Sequence, residues 1–219
     1  MTAPTDAKLK VWDLPTRVFH WLIVALFVVS CLTAGEAMKI HMLSGLLTFT
    51  LVATRILWGF FGSTTSRFGS FLKQPKTVLS YARQLRPGYA PPVFGHTPTG
   101  GWMIVALLAL LMLMPMVGAF GNDDVTFRGP LSYLVDKQTS DALTELHEAL
   151  FSILISLVIL HVLAVVVYHF VFKEDLVRPM ITGERPWRGP LPAARFVSAR
   201  LALLLWLAML ALVYVYVLR

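Results

Sequence analysis

Five long apolar stretches constrain this sequence more than any other feature. They cover residues 18–34, 40–61, 102–120, 143–172 and 196–218. A helix of about 20 apolar residues crosses the ~30 Å hydrocarbon core of a bilayer, and a helix satisfies its own backbone hydrogen bonds inside lipid. The pattern therefore predicts an all-α membrane protein with five transmembrane helices, surrounded by membrane lipid.

The charged residues are few and lie between these stretches. Only 14% of the 219 residues are charged, whereas a soluble domain carries about 25%. A net charge of +7 is also found in nucleic-acid-binding proteins. Here, however, the basic residues lie in loops beside the apolar stretches, where they determine topology. We therefore expect no nucleic-acid partner.

The charges of the loops predict the orientation in the membrane. The loop of residues 62–101 has no acidic residue and five basic ones, namely Arg67, Lys73, Lys76, Arg83 and Arg86. The loop of residues 121–141 has a net charge of −2, from Asp123, Asp124, Asp136 and Asp141 against Arg128 and Lys137. The positive-inside rule places the N-terminus and the 62–101 loop in the cytoplasm. The 121–141 loop and the C-terminus are then outside.

Histidines are the chemically informative residues. Five of the six lie in or beside apolar stretches, namely His20, His41, His147, His161 and His169. An ionisable side chain in a membrane is costly and indicates function, although a lone histidine can simply be an interfacial one bonded to a neighbour. Cys31 is the single cysteine, so the chain has no CxxCH motif and any haem is bound noncovalently.

The spacing of four histidines predicts two haem sites. His147 and His161 are 14 residues apart on the fourth predicted helix, which is ~21 Å along the axis and nearly the same face. His20 lies 14 residues from Ala34 at the outer end of the first helix, which is the depth of His161. His41 lies at the start of the second predicted helix, on the outer side, at the depth of His147. We therefore predict that His20 and His161 ligate an inner haem iron, and His41 and His147 an outer one.

Three further residues are candidates for haem contacts. Arg55 lies 14 residues after His41, near the inner haem, and Arg17 lies one turn from His20. Either arginine is suited to pair with a haem propionate, or to extend to the membrane surface instead. Gly45, one turn after His41, would let the flat macrocycle approach the backbone, or would serve ordinary close packing of helices.

The remaining two histidines are not predicted to be ligands. His169 lies 8 residues after His161, which is ~12 Å further along the helix and about 80° around it. We expect it at the membrane interface, or near a quinone on the cytoplasmic side. His96 lies in a loop, and we expect it to be solvated.

Six stretches resemble the bacterial cytochrome b561 family, which includes the membrane cytochrome b subunits of nickel–iron hydrogenases. In chain order they are VWDLPTRVFHW, IHMLSG, TRILWGFFG, GHTPTGGWM, LTELHEALF and LHVLAVVVYHFVFKEDLVRPMITG. They begin at Val11, Ile40, Thr54, Gly95, Leu143 and Leu160. The resemblance covers Val11 to Gly183, and together the motifs are specific although each alone is weak.

The resemblance implies a four-helix transmembrane bundle in the bacterial inner membrane, with quinone as a redox partner. It implies two haems b bound through four histidines, which match His20, His41, His147 and His161. We accordingly expect residues 1–183 to form the dihaem bundle. Residues 184–219 would form a linker and an extra C-terminal transmembrane helix, which faces lipid or a partner.

An iron with two histidine ligands has no open position, so it transfers electrons rather than binding oxygen. We therefore predict electron transfer between the quinone pool and a periplasmic redox partner, a c-type cytochrome or a hydrogenase. A related branch resembles superoxide oxidase, and transfer of electrons from superoxide to ubiquinone is the alternative. The acidic 121–141 loop would repel an anionic substrate and suits a basic redox protein. A membrane anchor without a redox role does not explain the matched histidines.

Overall fold

The computed structural model describes residues 7–123, 125, 127–187 and 192–218, most of them in helices. The strands are β1 (Ala7–Lys10) and β2 (Glu184–Trp187). The helices are α1 (Leu14–Thr33), α2 (Met38–Phe61), α3 (Phe68–Phe71), α4 (Pro75–Gln84), α5 (Pro98–Gly118), α6 (Lys137–Phe170), α7 (Val177–Thr182) and α8 (Ala199–Val213). Short 3₁₀ turns cover Thr64–Ser66 and Ser132–Leu134, and a π-helical turn over Tyr214–Leu218 continues α8.

Five of the helices, α1, α2, α5, α6 and α8 with its π-helical turn, are long and apolar enough to cross a membrane. This confirms the prediction of an all-α membrane protein. Three of them, α1, α5 and α6, begin four to six residues earlier than the apolar stretches suggested, because polar side chains cap them. Asp13 accepts a hydrogen bond from the Thr16 N–H at 2.9 Å, Thr97 from the Gly100 N–H, and Asp136 from the Thr139 N–H. Such caps satisfy backbone donors in the first helical turn.

The four helices of the predicted bundle pack in sequence order, α1 against α2, α2 against α5 and α5 against α6. Ile23, Leu51, Val52 and Leu108 form the buried apolar centre between the first three of these. Within the described residues, α6 shares no close interface with α1 or α2. The histidine-bearing face of α6 is therefore separated from the helices that carry its predicted partners.

The fifth long helix, α8, lies on the outside of the bundle against α2 and α1. The indole N–H of Trp206 donates to the hydroxyl of Thr50 at 3.1 Å. Apolar side chains such as Leu204 point outward from it, with 64% of that residue exposed. The extra helix is thus anchored to the bundle on one side, and its other side remains apolar.

Three segments from distant parts of the chain form one structure, here called the cap, at the end of the bundle where α1 begins and α6 ends. The cap comprises residues 7–13, 62–97 and 171–187. Strands β1 and β2 pair antiparallel, from Ala7 opposite Trp187 to Lys10 opposite Glu184. The hydroxyl of Thr65 donates to the carbonyl of Val11 at 2.6 Å. The basic segments therefore share one side of the membrane, and the assignment of that side to the cytoplasm stays a prediction.

The opposite end of the bundle carries the acidic loop. Asp123 accepts hydrogen bonds from the backbone N–H groups of Val125 and Phe127, at 3.0 and 2.7 Å. Lys137 forms an ion pair with Asp141. Asp124 lies outside the described residues.

The sequence placed a boundary between the dihaem bundle and a C-terminal linker at residues 183 and 184. Strand β2 begins at Glu184, and it pairs with β1 at the start of the chain. The proposed boundary stays a prediction.

Candidate haem sites

The outer histidines meet across the gap between α2 and α6. The ring centroids of His41 and His147 lie 6.1 Å apart, and the ring planes are inclined by 76°. Two imidazoles that ligate one metal from opposite sides have centroids about 6 Å apart, because each metal–nitrogen bond is about 2 Å and the ring centre lies about 1 Å beyond the nitrogen. The separation therefore suits an iron between them.

Hydrogen bonds orient both rings. Nδ1 of His41 donates to the carbonyl of Ser30 at 2.9 Å, and Nδ1 of His147 donates to the carbonyl of Met114 at 3.0 Å. A carbonyl oxygen only accepts, so the proton lies on Nδ1 and the lone pair on Nε2. This is the arrangement in which a backbone carbonyl fixes the tautomer of a metal-binding histidine. The outer pair is thus prepared for ligation through Nε2.

Two glycines lie beside the outer pair. A Cβ atom added to Gly118 would lie 2.9 Å from Cε1 and Nδ1 of His147, so only glycine leaves room for the ring in its present position. A Cβ added to Gly45 would meet only Cβ of Pro115, at 3.8 Å. Both glycines line a cavity of about 160 Å³ with the two histidines. The predicted haem contact of Gly45 stays a prediction, and Gly118 is a residue that the sequence did not reveal.

The inner histidines are arranged differently. His20 on α1 and His161 on α6 are each partly buried. Nδ1 of His20 is enclosed and has no hydrogen-bond partner. The ring of His20 packs edge-on against Trp21 at 4.9 Å. Ligation of an inner iron by this pair stays a prediction.

The two arginines at the inner end are held by the protein. Arg55 is only 4% exposed, and its Nη1 donates to the carbonyl of Ser66 at 3.2 Å. Nη1 of Arg17 donates to the carbonyl of Ile181 in α7 at 2.5 Å, while its Nε is enclosed without a partner. Among the described residues, neither guanidinium has a carboxylate within 4 Å. Both remain candidates for binding a propionate.

His96 is placed differently from the expectation. It was expected to be solvated, yet its ring lies between Trp12 and Phe71, with centroid distances of 4.3 and 4.7 Å. Its Nδ1 is enclosed and has no hydrogen-bond partner. Burial, and after it the charge of Arg55, lowers the pKa of His96 to about 3, although the backbone of Thr65 acts in the opposite direction. The expectation was wrong because Trp12 and Phe71, which belong to other parts of the cap, pack against the ring and leave it only partly exposed.

The family model of the prokaryotic cytochrome b561 matches residues 11–183, which is most of the chain. The chain belongs to the prokaryotic cytochrome b561 family. Neither the curated proteins nor the solved structures gave a match. Membership implies that the chain binds haem b and transfers electrons as a multi-pass protein of a bacterial membrane. Imidazole is one of the side chains that ligate haem iron in proteins.

His169 of this cytochrome lies away from both histidine pairs. Its ring is exposed and packs edge-on against Phe170 at 4.8 Å. It lines an open cavity of about 440 Å³ between the end of α6 and α7, together with Val166, Arg178 and Ile181. The lining is mostly apolar, and it includes the ionisable residues His169, Arg178 and Asp175.

Proposed function

We propose that this cytochrome binds two haems b and passes electrons between the quinone pool and a redox protein on the outer side. The observation that carries the proposal is the outer pair of histidines. His41 and His147 come from helices without a close interface, yet their ring centroids lie 6.1 Å apart and both tautomers are fixed. Imidazoles in this arrangement suit one iron with two axial ligands.

Haem b supplies one-electron redox chemistry, and with two imidazole ligands its iron has no open position for oxygen or substrate. The histidines of the chain therefore only hold and tune the cofactor. His147 and His161 lie on one helix, 14 residues or ~21 Å apart. The proposed sites are at two depths of the bilayer, which supports electron transfer across it.

The cavity beside His169 supports the quinone side of the proposal. Binding sites for small molecules are mostly apolar with a few polar groups that fix orientation, and this cavity combines aliphatic walls with His169, Asp175 and Arg178. His169 is 8 residues, or ~12 Å, from His161. A quinone bound here would be close to the proposed inner haem.

The haem content of the purified cytochrome is expected to be two haems b per chain. The reason is that four histidines form two pairs, and no cysteine is placed for covalent attachment. The pyridine haemochrome assay, normalised to protein by amino-acid analysis, measures both the type and the number. A value of one haem per chain, or a c-type spectrum, would contradict the proposal.

The outer partner is expected to be a positively charged redox protein. Asp123, Asp136 and Asp141 are exposed on the acidic loop, and surface carboxylates accelerate the encounter with a basic partner more than they raise affinity. Replacing Asp123 and Asp124 with Asn should slow electron exchange with a basic c-type cytochrome in stopped-flow measurements. The effect should be largest at low salt, since charges are screened over ~8–10 Å at physiological salt.

Asn at position 123 keeps the hydrogen bonds of that residue, because its amide oxygen can still accept from the backbone N–H groups that the carboxylate of Asp123 now binds. Haem content and quinone reduction should therefore be unchanged, which serves as the control. Superoxide is tested in the same stopped-flow measurements as an alternative electron donor. Near-diffusional reduction of the haems by superoxide, with no response to any cytochrome, would instead favour a superoxide oxidase.

A further inference from the structure

Helix α7 forms one wall of the open cavity that lies between it and the end of α6. Val177, Arg178, Ile181 and Thr182 line the cavity from this helix. The helix has six residues, and Asp175 caps its start by accepting hydrogen bonds from the N–H groups of Val177 and Arg178, at 3.0 Å each. So short a helix is not stable by itself. Contacts with other elements must therefore hold this wall in place.

Two side chains of α1 hold the carbonyl end of α7. Nη1 of Arg17 donates to the carbonyl of Ile181 at 2.5 Å, and the indole N–H of Trp21 donates to the carbonyl of Met180 at 3.3 Å. The last carbonyls of a helix have no partner within it, and a basic side chain near that end can supply one. Arg17 and Trp21 are four residues apart and therefore lie on the same face of α1.

The residue after α7 brings its backbone close to Arg17. Gly183 has a φ of +87°, and a Cβ added to it would lie 3.2 Å from Cζ and Nε of Arg17. The carbonyl of Gly183 accepts from the N–H groups of Val11 and Trp12, at 2.8 and 3.1 Å. The side chain of Arg17 thus packs against the backbone that ends α7, and its Nε has no exposed surface there.

The same helix carries a proposed haem ligand. His20 lies between the two donors in the sequence, and its ring packs edge-on against the indole of Trp21, with the centroids 4.9 Å apart. Helix α1 therefore carries a proposed ligand of the inner haem together with the side chains that hold the cavity wall. The position of a quinone relative to this haem would depend on both.

We propose that Arg17 and Trp21 are positioning residues of the quinone site. They hold the last carbonyls of α7, so that Arg178 and Ile181 stay in the wall across the cavity from α6. The inference rests on the proposed function, because it takes this cavity to be the place where quinone binds. It assigns to α1 a second task besides holding the inner haem.

The test removes one donor at a time from the full-length cytochrome. Trp21→Phe keeps an aromatic ring beside His20 but loses the N–H. Trp102→Phe is the matched control, because Trp102 is similarly exposed, 46% against 43% for Trp21, and its indole N–H also donates to a backbone carbonyl, that of Lys73 in the cap, at 3.0 Å. The reaction is the oxidation of the reduced haems by decylubiquinone, followed anaerobically in stopped-flow measurements.

Trp21→Phe should raise the half-saturating concentration of decylubiquinone roughly 3- to 10-fold, the usual worth of one hydrogen bond between neutral groups. Arg17→Met should raise it roughly 10- to 100-fold, since a charged donor is lost. The limiting rate, the haem content and both midpoint potentials should stay unchanged in Trp21→Phe. Trp102→Phe should change none of these quantities. If Arg17→Met does not retain its haems, the comparison of the two Phe variants decides.

A double-mutant cycle separates positioning from a general loss of stability. Arg178→Ala alone should raise the half-saturating concentration, and it should raise it by a smaller factor in the Trp21→Phe background, because two residues that act on one wall are coupled. Equal factors in both backgrounds, or an equal effect of Trp102→Phe and Trp21→Phe, would overturn the inference.

The same measurements distinguish failure of the inference from failure of the proposed quinone site. A raised half-saturating concentration in Arg178→Ala, with none in Trp21→Phe and Arg17→Met, would overturn the inference alone. If Arg178→Ala and His169→Ala both leave it unchanged, quinone does not bind in this cavity, and the inference fails with the site. The count of two haems per chain would stand in either case.

Discussion

Replacing His147 with Ala is expected to remove one haem per chain and to leave the other. The ring of His147 lies 6.1 Å from that of His41, and its Nδ1 is bonded to the carbonyl of Met114. Its loss would take away one of the two proposed ligands of the outer haem. The haemochrome value should fall from about two to about one, and redox titration should show a single midpoint potential. His161→Ala should give the complementary result, in which the other midpoint potential disappears.

The matched control for both variants is His169→Ala, which removes a histidine from the same helix. His169 is exposed and lies in the cavity between α6 and α7, so both haems should stay. A raised KM for quinone in this variant would support the proposed quinone site. Loss of a haem in His169→Ala, or loss of the same midpoint potential in His147→Ala and His161→Ala, would show that the pairing is wrong.

Gly118→Ala is expected to disturb the outer haem although it adds only one methyl group. The added Cβ would lie 2.9 Å from the ring of His147, and this ring is held by its hydrogen bond to Met114. Either the ring moves or α5 moves away, and overpacking of this kind costs about 1–3 kcal/mol. The outer haem should therefore dissociate roughly 5- to 150-fold faster, measured by its transfer to apomyoglobin.

Replacements of two other glycines serve as comparisons for Gly118→Ala. Gly69→Ala in α3 adds the same methyl group where no atom lies within 4 Å, and it should leave both haems unchanged. Gly45→Ala would place its Cβ 3.8 Å from Pro115, an ordinary contact in this structure. If Gly45→Ala weakens the outer haem, the predicted approach of the macrocycle to Gly45 is supported. If Gly118→Ala behaves like Gly69→Ala, the ring of His147 is not constrained as described.

The membrane architecture could be predicted because hydropathy acts locally. Each of the five apolar stretches became a long helix, and the family inferred from motifs between Val11 and Gly183 is confirmed by the match over residues 11–183. The boundaries shifted by several residues where a polar residue such as Asp136 caps a helix. A residue that caps a helix N-terminus is polar and lies outside the apolar stretch, so a count of apolar residues misses it.

The candidate ligands could be predicted from the sequence because the geometry of a single helix is regular. A separation of 14 residues converts directly into ~21 Å on one face, so His147 and His161 could be assigned to two depths without any structure. The sequence alone did not reveal Gly118, whose role depends on the approach of α5 to α6. Contacts between helices depend on how they pack, and no local pattern encodes that distance.

By itself, the sequence determined that the chain is a five-helix membrane protein of the cytochrome b561 family, with histidines at two depths. Only the tertiary structure decided that the rings of His41 and His147 lie 6.1 Å apart with fixed tautomers, and that Nδ1 of His96 is enclosed. His96 lies in a loop, and its ring packs against Trp12 from the N-terminal segment and against Phe71 from α3. Burial of a loop residue is a property of the whole fold, because it depends on which segments the chain brings over it.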